Sequence, residues 1–224
     1  MRRRHGTRAL AALAVGLTAG VVALEYAHVW RRGHAPLPTS DSEPAEVVAA
    51  GREAAIETYE VAVAGYRSGS PRENALLNLL IAYAATAGIV RLSTHSIRET
   101  GSFGPFRNVL LADRHIHHFI PGIVLAFLSG GASIISRDER LDRYLAVPFG
   151  VGTALTLDEA ALLVELEDVY WSERGILSVQ VTLAAMALLG ALSLGLRLLR
   201  RGETLVLEPR TPRDEPHQSV GAPR

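Results

Sequence analysis

Apolar positions fall into five long runs separated by short charged segments. The first extends from Ala9 to about Trp30, the second from Ala75 to Leu92 and the third from about Ile116 to Ile135. The fourth covers Tyr144 to Leu166 and the fifth Leu177 to Leu199. Each approaches the roughly 20 apolar residues with which a helix crosses a hydrocarbon layer about 30 Å thick. In the fifth run only Ser, Thr and Gln interrupt the apolar residues before Arg197 near its end, whereas the RDERLDR segment from Arg137 to Arg143 is too polar to bury. The pattern predicts an all-α, polytopic transmembrane bundle of four to five spanning helices. The competing reading is a soluble bundle with apolar core helices.

The flanking segments divide the chain further. Arg2, Arg3, Arg4 and Arg8 precede the first run, the layout of a signal peptide. Glu25, Tyr26 and His28 stand where a small-residue cleavage site belongs, so residues 1–30 read as an uncleaved membrane anchor. Residues 31–72 are polar: the HAPLPTSDSEP linker leads into Ala45–Tyr66, where Glu46, Glu53, Glu57 and Glu60 share a side against Val47, Val48, Ile56, Val61 and Val63. That spacing predicts an amphipathic helix lying on the membrane surface or on the other helices. Residues 73–201 form the bundle. Residues 202–224, rich in Pro, Arg, Glu and Gln without periodicity, read as a disordered tail.

Composition narrows the chemistry. With 23 basic and 23 acidic residues the net charge is zero, which removes nucleic acid as a partner. Cysteine is absent, excluding disulfides, iron–sulfur clusters and thiolate zinc sites. Every basic residue is arginine, so Schiff-base chemistry and a P-loop lysine are excluded too. Hydrophobic residues make up 48% and charged ones 21%, so the two classes must be segregated to give a mean hydropathy of +0.18. The N-terminal arginines place the N-terminus in the cytoplasm by the positive-inside rule. Arg137, Arg140, Arg143, Arg197, Arg200 and Arg201 place the C-terminus there instead, and five spans cannot satisfy both. The acidic segment from Glu165 to Glu173 then lies outside, favouring the cytoplasmic C-terminus.

Charge within a spanning segment costs about 2.5–3.5 kcal/mol at the helix centre and calls for a partner. Asp158 and Glu159 occupy that position in the fourth run. Antiparallel neighbours bring them toward His95 and toward the Asp113-Arg114-His115-Ile116-His117-His118 run at the start of the third. Imidazoles with one carboxylate and an open position are the donor set of catalytic zinc or non-haem iron. His115, His117, His118 and Asp158 are therefore the candidate ligands of a divalent metal, Zn or Fe. Glu159 and Glu165 are the candidate general bases on a metal-activated water. Three alternatives stay open: Arg91 or Arg114 neutralises Asp158 or Glu159 without metal, the histidines are interfacial side chains with apolar bodies and wet tips, or Asp, Glu and His form a proton relay. Gly122, Gly130, Gly131, Gly150 and Gly152 read as positions where helix backbones approach closely.

The HIHHFIPGIVLAFLSGG stretch from His115, with GVGTALTLDEAALLVELEDVYWSERGILSVQ from Gly150, resembles a group of uncharacterised actinobacterial multi-pass membrane proteins. The resemblance covers about half the chain and implies a compartment, the cell membrane, but no reaction. Fatty-acid hydroxylases and desaturases carry several separated His boxes, whereas this chain has one. The expected function is a metal-dependent hydrolase or lipid-modifying enzyme working on a lipid or other small molecule in the bilayer. The alternative is a non-enzymatic ion or proton permease or a structural membrane subunit.

Overall fold

A computed structural model of the chain describes residues 2–100, 110–111, 114–115, 119–158 and 173–207, with side chains over 9–93, 120–158 and 180–207. Among the described residues there are six helices: α1 (Arg2–Arg32), α2 (Pro44–Ser68), α3 (Pro71–Thr100), α4 (Phe119–Ser136), α5 (Glu139–Asp158) and α6 (Glu173–Val206). A single antiparallel pair of two-residue strands, β1 (Leu110–Leu111) and β2 (Arg114–His115), precedes α4.

Local sequence sets where these helices start. Ser70-Pro71-Arg72-Glu73 is a reciprocal capping box: Glu73 N–H donates to the Ser70 hydroxyl at 3.2 Å, and Ser70 N–H donates to the Glu73 carboxylate at 3.2 Å. Pro71 takes the first helical position, where its missing N–H costs nothing. Pro44 and Glu46 repeat half of this device at α2, where Glu46 accepts from Glu43 N–H at 3.1 Å. At α5 the Asp138 carboxylate caps Arg140 N–H at 2.9 Å, after a turn in which Arg137 adopts a left-handed φ of 50°.

Three helices are long and apolar enough to cross a membrane: Ala9–Arg32, Pro71–Ser93 and Gln180–Val206. Only 6% of the most apolar stretch of Pro71–Ser93 is buried, and 11% of that of Ala9–Arg32. A soluble bundle would hide these faces; here they point outward, as lipid-facing surfaces do. The third and fourth apolar runs fall short of that length among the described residues. The apolar part of α4 is Ile120–Ser136, and α5 opens with Glu139, Arg140, Asp142 and Arg143 before its apolar portion.

The chain divides into two compact units, Met1–Ala23 with Gly69–Leu198, and Leu24–Ser68 with Leu199–Arg224. In the first, α3 and α5 run parallel. Arg72 pairs with Glu139 at 2.9 Å, Asn78 donates to the Arg143 carbonyl at 2.7 Å, and Arg91 reaches Asp158. Glycine permits this approach: a Cβ on Gly150 would stand 2.6 Å from the Leu79 carbonyl oxygen. α4 folds back along α5, with Gly152 so close that a Cβ there would lie 2.6 Å from Ala126 N and from the Gly122 carbonyl oxygen. Gly130 faces the Phe149 ring, whereas Gly131 opens onto free space and has no packing role. α6 returns antiparallel to α3, burying Tyr83, Ala154 and Ala187 with Leu80, Ala84, Leu157 and Ala184 around them.

The second unit joins the last turns of α1, all of α2 and the end of α6 around Val29, Val61 and Leu207. α2 buries Ala50, Ala54, Glu57, Val61 and Gly65 and leaves Val48, Ile56 and Tyr59 exposed. Its small side chains, rather than its large apolar ones, make the packing face. α6 continues helically past Gly202, where the sequence reads as a disordered tail, to Val206. Gly202 sits so close to α2 that a Cβ would fall 1.9 Å from the Val61 carbonyl oxygen. Contact with α2 accompanies this helical continuation.

Candidate functional site

Gln180 sits in an otherwise apolar run and performs two tasks in the first unit. Its side-chain amide donates to the carbonyls of Leu157 (3.0 Å) and Asp158, satisfying acceptors at the described end of α5. Its amide oxygen accepts from the Arg91 guanidinium. Arg91 Nη2 also contacts Asp158 Oδ1 at 2.5 Å. The Asp158 side chain is 11% exposed and that of Arg91 34%, so the carboxylate is enclosed and the guanidinium keeps an open side. Three helices, α3, α5 and α6, are thereby tied at one point, the Arg91 bonds being charge-assisted.

A cavity of about 390 Å³ opens beside this knot. Its walls are Ala, Val, Leu and Ile side chains of α1, α3, α5 and α6, with Tyr83 and Gly88 among them. Polar groups enter at Arg91, Asp158 and Gln180. The volume falls within the range of small-molecule sites, roughly 300–1,000 Å³, and the distribution of a few polar groups on an apolar wall is typical of them.

Asp158 thus has Arg91 as a partner, one of the two arginines the sequence offers. Among the described residues no group of three or more His, Asp or Glu side chains is arranged to hold a metal ion. His117, His118, Glu159 and Glu165 lie outside the described residues. His115 is described in its backbone alone, paired with Leu110 across the two-residue strands. The segment carrying these histidines leads directly into α4, whose Gly122 stands against Leu155 and Thr156 near the end of α5. The start of α4 and Asp158 therefore share one end of the unit.

Gln180 and Tyr83 have no place among the sequence-derived candidates. For Gln180 the signal was an isolated amide within a spanning-length apolar run; for Tyr83 there was none, since an aromatic residue in such a run reads as core. Comparison with families of known proteins, with characterised proteins and with solved structures finds no match.

Proposed function

We propose that this chain is a multi-pass integral protein of the cell membrane that binds an amphiphile within its helical bundle. The observation that supports it is the 390 Å³ apolar cavity ending in Arg91, Asp158 and Gln180. An acyl or isoprenoid chain suits the Ala- and Leu-lined wall. The partly exposed Arg91 guanidinium offers donors to a carbonyl, carboxylate or phosphate at the polar end of the ligand. In this reading α4 and α5 also cross the bilayer, giving five spans in all.

Gly88 supplies the test, because a Cβ there meets nothing within 4 Å. Gly88→Phe should fill the cavity without disturbing the helices. Native mass spectrometry of the purified full chain should show a stoichiometric amphiphile in the wild type and its loss in the variant. A wild type free of ligand, or a variant that retains it, would sink the proposal.

A second reading, a lipid-modifying or hydrolytic metalloenzyme, is favoured by one observation: α4 starts at the end of the unit where the polar knot lies. In this reading His115, His117 and His118, with Asp158, would supply the metal ligands and Glu159 or Glu165 the general base. Metal analysis separates the two. Stoichiometric zinc or iron, lost when the three histidines become alanine, favours the enzyme; metal-free protein that still carries its amphiphile favours a binding protein.

A further inference from the structure

The second unit has an opening of its own, none of whose lining residues belongs to the amphiphile cavity. It measures about 300 Å³ and is lined by Leu24, Glu25, Ala27, His28 and Arg31 of α1 and by Arg200 of α6. The α1 residues recur at helical spacing, so one face of that helix makes the wall. Arg200 closes it from the other helix. Its Nη2 donates to Glu25 Oε1 at 2.7 Å, and its Nη1 donates to the two Glu203 carboxylate oxygens at 3.1 and 3.0 Å. These residues lie toward the C-terminal ends of two segments of spanning length, Ala9–Arg32 and Gln180–Val206. That is the level of the lipid headgroups when such helices cross a bilayer.

Both signs of charge meet on this wall. Arg31 is exposed, and the Arg200 side chain is 53% exposed. The bonds of Arg200 to Glu25 and Glu203 use three of the five N–H groups of a guanidinium, so donors remain for an anion. Arg32, Arg197 and Arg201 are exposed as well without lining the opening, and they strengthen the attraction of this helix end for phosphate. On the acidic side, Glu203 is engaged by Arg200 and lies 3.6 Å from His28 Nε2. Glu25 is 7% exposed, and its Oε2 has no hydrogen-bond partner. A buried carboxylate oxygen without a donor is rare and costly.

This combination selects among headgroups. A purely anionic one meets Glu25 repulsively and leaves Oε2 unsatisfied. A quaternary ammonium has no N–H to offer it. A phosphate joined through two carbons to a primary ammonium answers both needs: guanidiniums take the phosphate by charge-assisted bonds, and the ammonium supplies the missing donor. Leu24, 70% exposed, gives the opening an apolar lip toward the lipid chains. We propose that this opening binds the headgroup of an ethanolamine phospholipid of the bilayer, with the phosphate on Arg31 and Arg200 and the ammonium on Glu25 Oε2. The inference rests on the reading that α1 and α6 cross a bilayer.

Native mass spectrometry of the full chain, ejected from nanodiscs of mixed phosphatidylethanolamine, phosphatidylcholine and phosphatidylglycerol with identical acyl chains, reads the site. Gly88→Phe is introduced throughout, so that the amphiphile cavity contributes nothing. One phosphatidylethanolamine should be retained in preference to the other two lipids. Arg31→Gln, a change at an exposed side chain, should lose it, and Glu25→Gln should retain phosphatidylethanolamine and phosphatidylcholine alike. No retained phospholipid, equal retention of the choline or glycerol lipid, retention that survives Arg31→Gln, or a preference that survives Glu25→Gln overturns the proposal. Should Glu25→Gln not fold, the headgroup preference and Arg31→Gln decide it. Release of the full chain from membranes by carbonate would overturn the membrane reading along with this one, whereas failure here alone leaves an embedded protein with no preferred headgroup.

Discussion

Arg91 and Asp158 show how a single polar pair is handled within apolar helices. A buried carboxylate stripped of its cation is worse off than one replaced by a neutral side chain, because the charge stays while its compensation goes. Arg91→Met should therefore lower stability by about 1–3 kcal/mol, the usual cost of leaving a buried group without its partner. Asp158→Asn added to Arg91→Met should recover part of that loss. Detergent unfolding of the two single variants and the double variant measures the coupling. Strictly additive effects would mean that the two side chains do not act on one another. Gln180 shares this pair, so the recovery is expected to be partial: its amide oxygen loses the Arg91 donor in both cases.

Helix contacts are governed by small residues, and the glycines of α4 and α5 are not equivalent. At Gly152 an added Cβ meets backbone atoms of the neighbouring helix, which have no freedom to move aside. At Gly131 the added methyl meets nothing. Gly152→Ala should cost about 1–3 kcal/mol through overpacking. Gly131→Ala should be neutral or stabilise by up to about 1 kcal/mol, through the helix preference of alanine. Thermal melting of the two variants side by side checks this, and equal effects would contradict the α4–α5 packing. α2 follows the same rule. Its packing face is Ala50, Ala54, Val61 and Gly65, so its large apolar residues remain outside. The acidic side expected from the sequence only flanks the contact, with Glu57 turned inward to His34.

On the proposal that the helices cross a bilayer, the parallel course of α3 and α5 makes a prediction at the scale of the molecule. The start of α3 and the α4–α5 turn must emerge together, because Arg72 and Glu139 are paired there. Ser93, at the far end of the Pro71–Ser93 span, must emerge on the other side. The absence of native cysteine makes this directly measurable. Cysteines placed at Ser70 and at Asp138 should react with an impermeant reagent from the same side, and one placed at Ser93 from the opposite side. The arginines of the α4–α5 turn and of the end of α6 predict that the shared side is cytoplasmic. Ser70 and Asp138 reacting from different sides would refute the parallel arrangement.

The linear pattern by itself determined the helical class, the presence of apolar runs near spanning length and the need of Asp158 for a partner; of the four to five spans it suggests, three helices among the described residues are long and apolar enough to cross a membrane. Each depends on composition within one segment: apolar length sets a span, and a carboxylate within it demands compensation wherever the helix lies. Only the tertiary structure decided which groups meet. Arg91 faces Asp158 because α3 and α5 run parallel at glycine-limited distance, and residues 67 apart in sequence carry no mark of adjacency. Gln180 becomes part of the knot, and Glu203 part of a buried cluster with Glu25 and His28, for the same reason. The end of α6, read from the sequence as the start of a disordered tail, is helical to Val206, with Gly202 settled against Val61. Local periodicity records what a segment prefers, whereas pairing between segments depends on backbone approach and register, which no single segment encodes.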